Sequence, residues 1–346
     1  MEKGDIVIPA RGNSIGCAKI VNKDVATSTQ TTIMSYNIRN VNNKFLFYCS
    51  WAFKDEWYRY DGSAIPQITV RQVENNFLPL PNILLQDKMV TVLDKKVGAI
   101  DDLIENVVRQ IEKLNEFKQS LITEVVTKGL DKNAPMKDSG IEWIGKIPKH
   151  FVMQRMKRIG SCRNGLTYSP DEMCGDNGLL VLRSSNIQSG KLDFEDNVYV
   201  NKIVKDDLIV KKGDILICSR NGSRNLIGKN AIIESDLKCS FGAFMMIFRS
   251  NYNSKYIYYI LNSSIFNYYL GTYLTSTINQ LTGANFENMI IPFTNDDKEQ
   301  SEIVEYLDNK CKIIEEVISI KNNKIRKLNE YKKSLIYEYV TGKKEV

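Results

Sequence analysis

An internal duplication constrains this chain more than any other feature. Lys113-Leu114-Asn115-Glu116-Phe117-Lys118-Gln119-Ser120-Leu121-Ile122 returns as Lys327-Leu328-Asn329-Glu330-Tyr331-Lys332-Lys333-Ser334-Leu335-Ile336, with eight of ten positions identical at an offset of 214. Upstream, Gly4-Asp5-Ile6-Val7-Ile8 returns as Gly213-Asp214-Ile215-Leu216-Ile217, and Arg11 as Arg220. Ile15-Gly16 matches Ile227-Gly228, while Ile65, Gln67 and Pro79 answer Ile278, Gln280 and Pro292. The offset drifts slowly in one direction, as it does between two diverged copies of one unit. A repeat of this length predicts two like-folded parts and excludes a single continuous core.

The copies are unequal. The second opens near Trp143-Ile144-Gly145 and runs to the end, and its residues up to Val210 have no counterpart, because Met1 already aligns there. The first copy therefore reads as shortened at its N-terminus. An incomplete sheet exposes an unpaired edge, so apolar surface is expected around Ile6, Val7 and Ile8. Relief requires another polypeptide to supply the missing half, or two chains to pair.

Each copy has a mixed part and a long helical part. Gly178–Arg183, Asp214–Cys218 and Ala243–Phe248 are short apolar runs bounded by turn residues, which predicts strands. Ser254 to Leu270 predicts an amphipathic helix, with Tyr256, Tyr258, Tyr259, Tyr268 and Tyr269 at helical spacing and expected in the core. Val97, Ile100, Ile104, Val107, Ile111, Leu114, Leu121 and Val125 then step by threes and fours, a heptad seam repeated by Cys311, Ile314, Ile318, Ile325, Leu328, Leu335 and Tyr339. Lys118 and Lys332 occupy one matched seam position, where lysine is expected to snorkel outward. The expected fold is α+β. It has an incomplete first domain over 1–80, a first long helix over 81–129, a linker over 130–151, a second domain over 152–294 and a second long helix over 295–346. The two helices are each other's natural partners, packed antiparallel as a coiled coil.

Chemistry is excluded more easily than assigned. The chain holds one histidine, His150, which follows Pro148-Lys149 and reads as a surface or packing residue. Histidine-dependent triads and most metal sites are therefore closed to it. No phosphate-binding glycine loop and no C-x-x-C pair occurs, so no cofactor and no metal is expected. Seven scattered cysteines suit a reducing cytoplasm. No apolar run approaches the roughly 18 residues of a membrane span. The formal charge of +6 lies mainly on the mixed segments: residues 150–295 carry 16 Lys and Arg against 12 Asp and Glu, while 296–346 balance at 11 and 11. A basic globular surface beside neutral helices suits a phosphate backbone as partner.

The duplication, the opening Gly140-Ile141-Glu142-Trp143-Ile144-Gly145-Lys146-Ile147-Pro148 and the Lys-Leu-Asn-Glu-aromatic-Lys-x-Ser-Leu-Ile helix endings resemble the DNA-specificity subunit of type I restriction–modification enzymes. The resemblance spans the whole chain. It implies that each mixed part is a target-recognition domain reading one half of a split site in double-stranded DNA, with the helices setting the spacing. It also implies a non-catalytic subunit that docks modification (methyltransferase) subunits and restriction subunits; the shortened first copy adds a second specificity chain as an expected partner. Two other readings stay open on residues alone: a stand-alone DNA binder, and a remnant coiled-coil scaffold without its own methyltransferase partners.

Three loops carry suitable side chains for DNA. Arg183-Ser184-Ser185-Asn186 follows an apolar strand. Ser219 to Arg224 supplies Arg220, Asn221, Ser223 and Arg224. Thr275 to Gln280 supplies Thr275, Thr277, Asn279 and Gln280. In the first copy Arg11, Asn13 and Gln67 answer them. Arginine can read guanine and Asn or Gln adenine, while hydroxyls mostly grip phosphates. Arg220 and Arg224 are expected on phosphates, and Gln280 on a base.

Overall fold

A computed structural model describes residues 1–12, 14–23, 32–35, 40–58, 67–274 and 279–346. They divide into two compact units, one of Met1–Glu112 with Val317–Val346 and one of Lys113–Glu316. Two long helices, Ile83–Lys128 and Asp297–Val340, each contribute to both units. The unit boundary falls inside the helices, because each helix end packs into the core of the mixed part beside it. The 46-residue first helix is about 69 Å long at 1.5 Å per residue. Among the described residues no helix is long and apolar enough to cross a membrane.

Helix starts and stops follow local chemistry. Asn82 Oδ1 accepts the Leu85 amide at 2.9 Å, and Asp296 Oδ1 accepts that of Lys298 at 2.9 Å, satisfying donors that have no partner within the helix. At the other ends Gly129 and Gly342 adopt φ of +69° and +71°, the left-handed stop that side chains resist.

In the second unit one sheet runs Asn230–Ile232, Ile215–Cys218, Met245–Ser250, Gly160–Asn164, antiparallel throughout. Ile215–Cys218 is buried at all four residues, as a central strand covered on both faces must be. A second sheet runs Cys239–Phe241, Leu179–Leu182, Tyr199–Val200, Met173–Cys174, with its first pair parallel. Ile290–Phe293 pairs separately with Val152–Arg155. The expected tyrosine-rich helix is two helices, Ser254–Leu261 and Ser264–Tyr273. Between them Asn262 Nδ2 donates to Tyr258 O and Ser263 Oγ to Ile260 O, side-chain bonds that compete with helix continuation. Tyr256 and Tyr259 are buried, but Tyr268 is half exposed and stacks on Trp143 with ring centres 4.1 Å apart. His150 lies 3.1 Å from the Glu299 carboxylate at the surface.

In the first unit Ile6–Pro9 is the central strand between Lys19–Ile20 and Thr32–Ser35. Ile6 and Ile8 are buried, so the expected exposure around them does not occur; neighbours on both edges satisfy the strand. The apolar surface lies instead at Phe77, 93% exposed, and Leu80.

The helices are antiparallel within each unit. Lys332 Nζ meets both Asp101 carboxylate oxygens at 2.7 and 2.8 Å in the first, and Lys118 Nζ meets Glu315 at 2.5 Å in the second. These lysines do not simply snorkel outward. Each closes a matched ion pair across the seam, which pins register.

The duplication extends to individual hydrogen bonds. Gln86 and Gln300, both fully buried, accept the backbone amides of Asn42 and Asn253 at 2.9 and 3.2 Å. Those two asparagines cap the matched helices Asn43–Ala52 and Ser254–Leu261. Tyr48 and Lys44 bind Asp94, as Tyr259 and Lys255 bind Asp308.

Candidate nucleic-acid interface

Two of the three loops expected from sequence converge in the second unit. Leu179–Leu182 ends in a tight turn, Ser184–Asn186, and Ile215–Cys218 ends in the loop carrying Arg220 and Asn221. They meet the Gly242–Phe244 turn and Leu166–Tyr168 around a groove of roughly 570 Å³. Asn221 Nδ2 donates to Ser184 Oγ at 3.3 Å, joining the loops directly. Lys229 Nζ adds a donor to Ser184 O at 3.4 Å.

Arg220 is exposed, and its guanidinium lies over the Phe244 ring, 5.2 Å from its centre, with no side-chain acceptor among the described residues, which suits an anion or a base. Among the described residues no carboxylate pairs with it. Phe244 is 58% exposed while its carbonyl is held by Ser219 N, Arg220 N and Ser219 Oγ at 3.0, 3.0 and 2.9 Å. A fixed backbone thus presents an apolar ring to solvent.

Arg183 behaves differently. Its Nη2 is 2.8 Å from Asp196 Oδ1, and its Nε is buried without a partner among the described residues. Ser185 Oγ is likewise buried and unpartnered, while the residue lines the same groove. Asp196 lines the groove with its charge paired to Arg183, and its second carboxylate oxygen can accept from a cytosine amino group.

Asn186 is a correction to the expected contact set. It is fully buried; its Oδ1 accepts Arg183 N at 2.9 Å and its Nδ2 donates to Asp193 O, Asp196 O and Asn197 Oδ1. Its amide shapes the loop and has no edge left for DNA. Asn221 is half committed, since its Oδ1 also accepts Ser223 N at 2.9 Å. Arg224 donates from Nη2 to Leu274 O at 2.7 Å, securing the end of Ser264–Tyr273 from an exposed position. Ser223, Asn279 and Gln280 are exposed. Thr275, Thr277 and Asn13 lie outside the described residues.

The repeat also organises the interface. Arg220 and Gln280 face each other in an isolated antiparallel bridge, and Arg11 and Gln67 do the same in the first unit. There Arg11 Nε donates to Gln67 Oε1 at 3.0 Å. Both residues of this matched pair were visible in the sequence. Phe244, Asp196 and Tyr168 were not singled out: Phe244 reads as part of an apolar strand until Gly242-Ala243 is seen to turn the chain first.

The groove offers donors, acceptors and an aromatic face, but no activated nucleophile. Burial pushes the Cys49, Cys162 and Cys239 thiols up to about 12, so they stay neutral near pH 7. Among the described residues no cluster of His, Cys, Asp and Glu could hold a metal ion.

Comparison with known proteins identifies the family. The family described as "Type I restriction modification DNA specificity domain" matches residues 1–113 and 148–330. The type I restriction enzyme MjaVIII specificity subunit of Methanocaldococcus jannaschii is 26% identical over 99% of this chain and 80% of its own length. The EcoKI specificity subunit of Escherichia coli is 30% identical over 43% of this chain, a third of that subunit. A chain solved in work on complex assembly and conformational transition of the type I R-M system superposes with a TM-score of 0.70, at 15% identity, over 98% of this chain and 82% of that one. With most of its length matched, the chain belongs to the type I restriction–modification DNA-specificity family, as a non-catalytic subunit that recognises DNA sequence within a restriction–modification complex.

Proposed function

We propose that residues 152–294 form a recognition domain that reads one half of a bipartite double-stranded DNA site through the Arg183–Arg220–Phe244 groove. Residues 1–80 form the first, shorter recognition domain, 81–129 and 295–346 the spacer helices, and 130–151 the linker. The observation that carries this reading is convergence: loops separate in sequence deliver Arg183, Ser184, Ser185, Arg220 and Asn221 to one concavity. Direct readout requires such a clustering of donors and acceptors.

Within the set, roles divide by repetition. Arg220 with Gln280, and Arg11 with Gln67, occur in both copies and suit phosphate contacts that position the duplex, so Gln280, expected on a base, is reassigned with its partner to the backbone. Asn279, Ser223 and Arg224 lie beside them and belong to the same class. Ser184, Ser185 and Asp196 lie in the part of the second copy that has no counterpart in the first and suit base reading, with Phe244 beside them as an apolar surface. Asn186 keeps their loop in shape.

The partners proposed are modification subunits, with restriction subunits joining them, in the cytoplasm. Apolar side chains on the outer faces of the helices support protein docking. Leu103, Ile320 and Tyr331 are exposed in the first unit, Phe117 and Ile313 in the second. The seven free thiols fit a reducing compartment.

The test is to co-express the chain with its modification subunits, methylate genomic DNA and map the modified adenines. A Ser184→Ala, Ser185→Ala variant should relax one half of a bipartite motif and leave the other intact. An unchanged motif would remove the groove from recognition.

A further inference from the structure

The second unit carries a charged patch that the groove does not use. Residues 150–295 hold 16 Lys and Arg against 12 Asp and Glu, and the whole excess falls within 150–170, where Arg155, Lys157, Arg158 and Arg163 occur with no carboxylate. The remaining 171–295 balance at 12 and 12. Arg163 is met by Asp207 at 3.5 Å. Arg155, Lys157 and Arg158 are exposed, and among the described residues no carboxylate pairs with any of them.

Local structure fixes where they stand. Met156 and Ile159 are buried in the core, so the one-turn helix Met156–Ile159 presents Lys157 and Arg158 outward. Arg155, the last residue of the strand before it, donates from Nη1 to Asn288 Oδ1 at 3.0 Å. Asn288 ends the helix Gly283–Asn288, whose cap Thr282 follows Gln280 by two residues. Gln280 in turn faces Arg220, which lines the groove. One six-residue helix, about 9 Å long at 1.5 Å per residue, thus links the Arg220–Gln280 bridge to the patch. That length is the rise of two to three base pairs at roughly 3.4 Å each. The helix carries one carboxylate, Glu287, which is half-buried, while the three cations are exposed.

We propose that Arg155, Lys157 and Arg158 bind the phosphate backbone of double-stranded DNA outside the base pairs that the groove reads. The inference rests on the groove being the DNA-reading surface. Cations without carboxylate partners neutralise phosphates and release counterions, whatever the sequence. The patch therefore adds affinity and holds the duplex in line with the groove, and it leaves the choice of bases to the loops. Continuity favours DNA over an acidic protein surface as the occupant: the patch stands one short helix from Gln280, on the same unit.

The experiment uses the full chain assembled with its modification subunits, and a labelled duplex carrying the mapped motif between long flanks. Lys157→Ala, Arg158→Ala removes two charges from exposed positions, so thermal unfolding should be unchanged. The salt slope should fall by about 1.8, so a fourfold rise in salt costs the variant about 12-fold less affinity than it costs the wild type. The methylated motif should stay the same. As the flanks are trimmed one base pair at a time, the two slopes should converge. Lys157→Arg, Arg158→Lys should keep the wild-type slope. An unchanged slope in the alanine variant, with the slope still lowered by Arg220→Ala, would overturn the patch and leave the groove standing. Slopes unchanged in both would overturn the groove as well. A difference that persists on the fully trimmed duplex, or an altered motif, would place the two cations inside the half-site and overturn the proposal. Weaker assembly with the modification subunits without DNA, at an unchanged slope, would overturn it in favour of an acidic protein surface.

Discussion

Replacing Arg220 with alanine separates the two ways in which this interface can hold DNA. The guanidinium lies over an exposed ring, an interaction worth about 0.5–1 kcal/mol at such sites, so the fold should survive its loss. If the guanidinium grips one phosphate, the lost charge-assisted hydrogen bond costs about 1.5–3 kcal/mol. That corresponds to a fall in affinity of roughly 10- to 150-fold. One fewer neutralised phosphate lowers the salt slope by about 0.9, so a fourfold rise in salt then costs the variant about 3.5-fold less affinity than it costs the wild type. Anisotropy of a labelled cognate duplex, titrated at several potassium chloride concentrations, gives both numbers. Adenine mapping gives the motif, which should not change. Arg163→Ala is the control, because Arg163 faces Asp207 at 3.5 Å and does not line the groove. An unchanged slope, or a preference lost at a single base, would refute the phosphate assignment and make Arg220 a reader of guanine.

Other expectations follow from the buried polar groups. Asn186→Ala orphans the Arg183 amide and the Asp193 carbonyl and leaves Asp196 O with Arg183 Nη2 alone, and should destabilise the second unit by about 2–4 kcal/mol in urea unfolding. Loss of DNA affinity without any loss of stability would mean that Asn186 contacts DNA after all. Gln86→Leu and Gln300→Leu should each cost about 2 kcal/mol or more, with hydrogen exchange rising in the unit that carries the change and not in the other. Exchange rising equally in both units would contradict independent roles. The raised thiols of Cys49 and Cys239 are fully protonated at pH 8, so iodoacetamide should label exposed Cys174 first and those two only after unfolding. Early labelling of Cys49 or Cys239, detected by mass spectrometry, would contradict their burial.

What the sequence made legible was whatever repeats. The seam from Val97 to Val125 and from Cys311 to Tyr339 is buried or half-buried along its length, since its period alone forces one face inward. Arg11 with Gln67, and Arg220 with Gln280, were visible because both copies keep them. The seam lysines were legible in position but not in role, because Asp101 and Glu315 sit on the facing helix and no local pattern pairs them. Asn186 shows the opposite failure. A polar residue in a turn suggests a ligand contact, and only the packing of Asp193 to Asn197 over it reveals that its amide is consumed at home. Phe244 and Asp196 were missed because each looks ordinary beside its sequence neighbours and becomes informative only across the groove.

Comparing the two copies inside one chain also says which residues can specify a base. A pair present in both, such as Arg220–Gln280 and Arg11–Gln67, cannot by itself make the halves of a split site different. Such a pair fits the part of binding that is the same for any sequence, the phosphate backbone. The same holds further from DNA for Tyr48–Asp94–Lys44 and Tyr259–Asp308–Lys255, which fasten each mixed part to its helix with the same three side chains. Difference between the halves must come from what is not shared. Ser184, Ser185 and Asp196 lie in the portion of the second copy that has no counterpart in the first. Asp196 on the groove wall strengthens the point: its Oδ1 is paired with Arg183 Nη2 at 2.8 Å, so the pair brings no net charge there for a phosphate, while the other carboxylate oxygen can accept from a base amino group. Asp196→Asn therefore separates frame from reading. It should leave the salt slope within about 0.3 of the wild type while shifting preference at one base pair by about 1–3 kcal/mol. A changed slope with an unchanged motif would place Asp196 in the electrostatic frame instead.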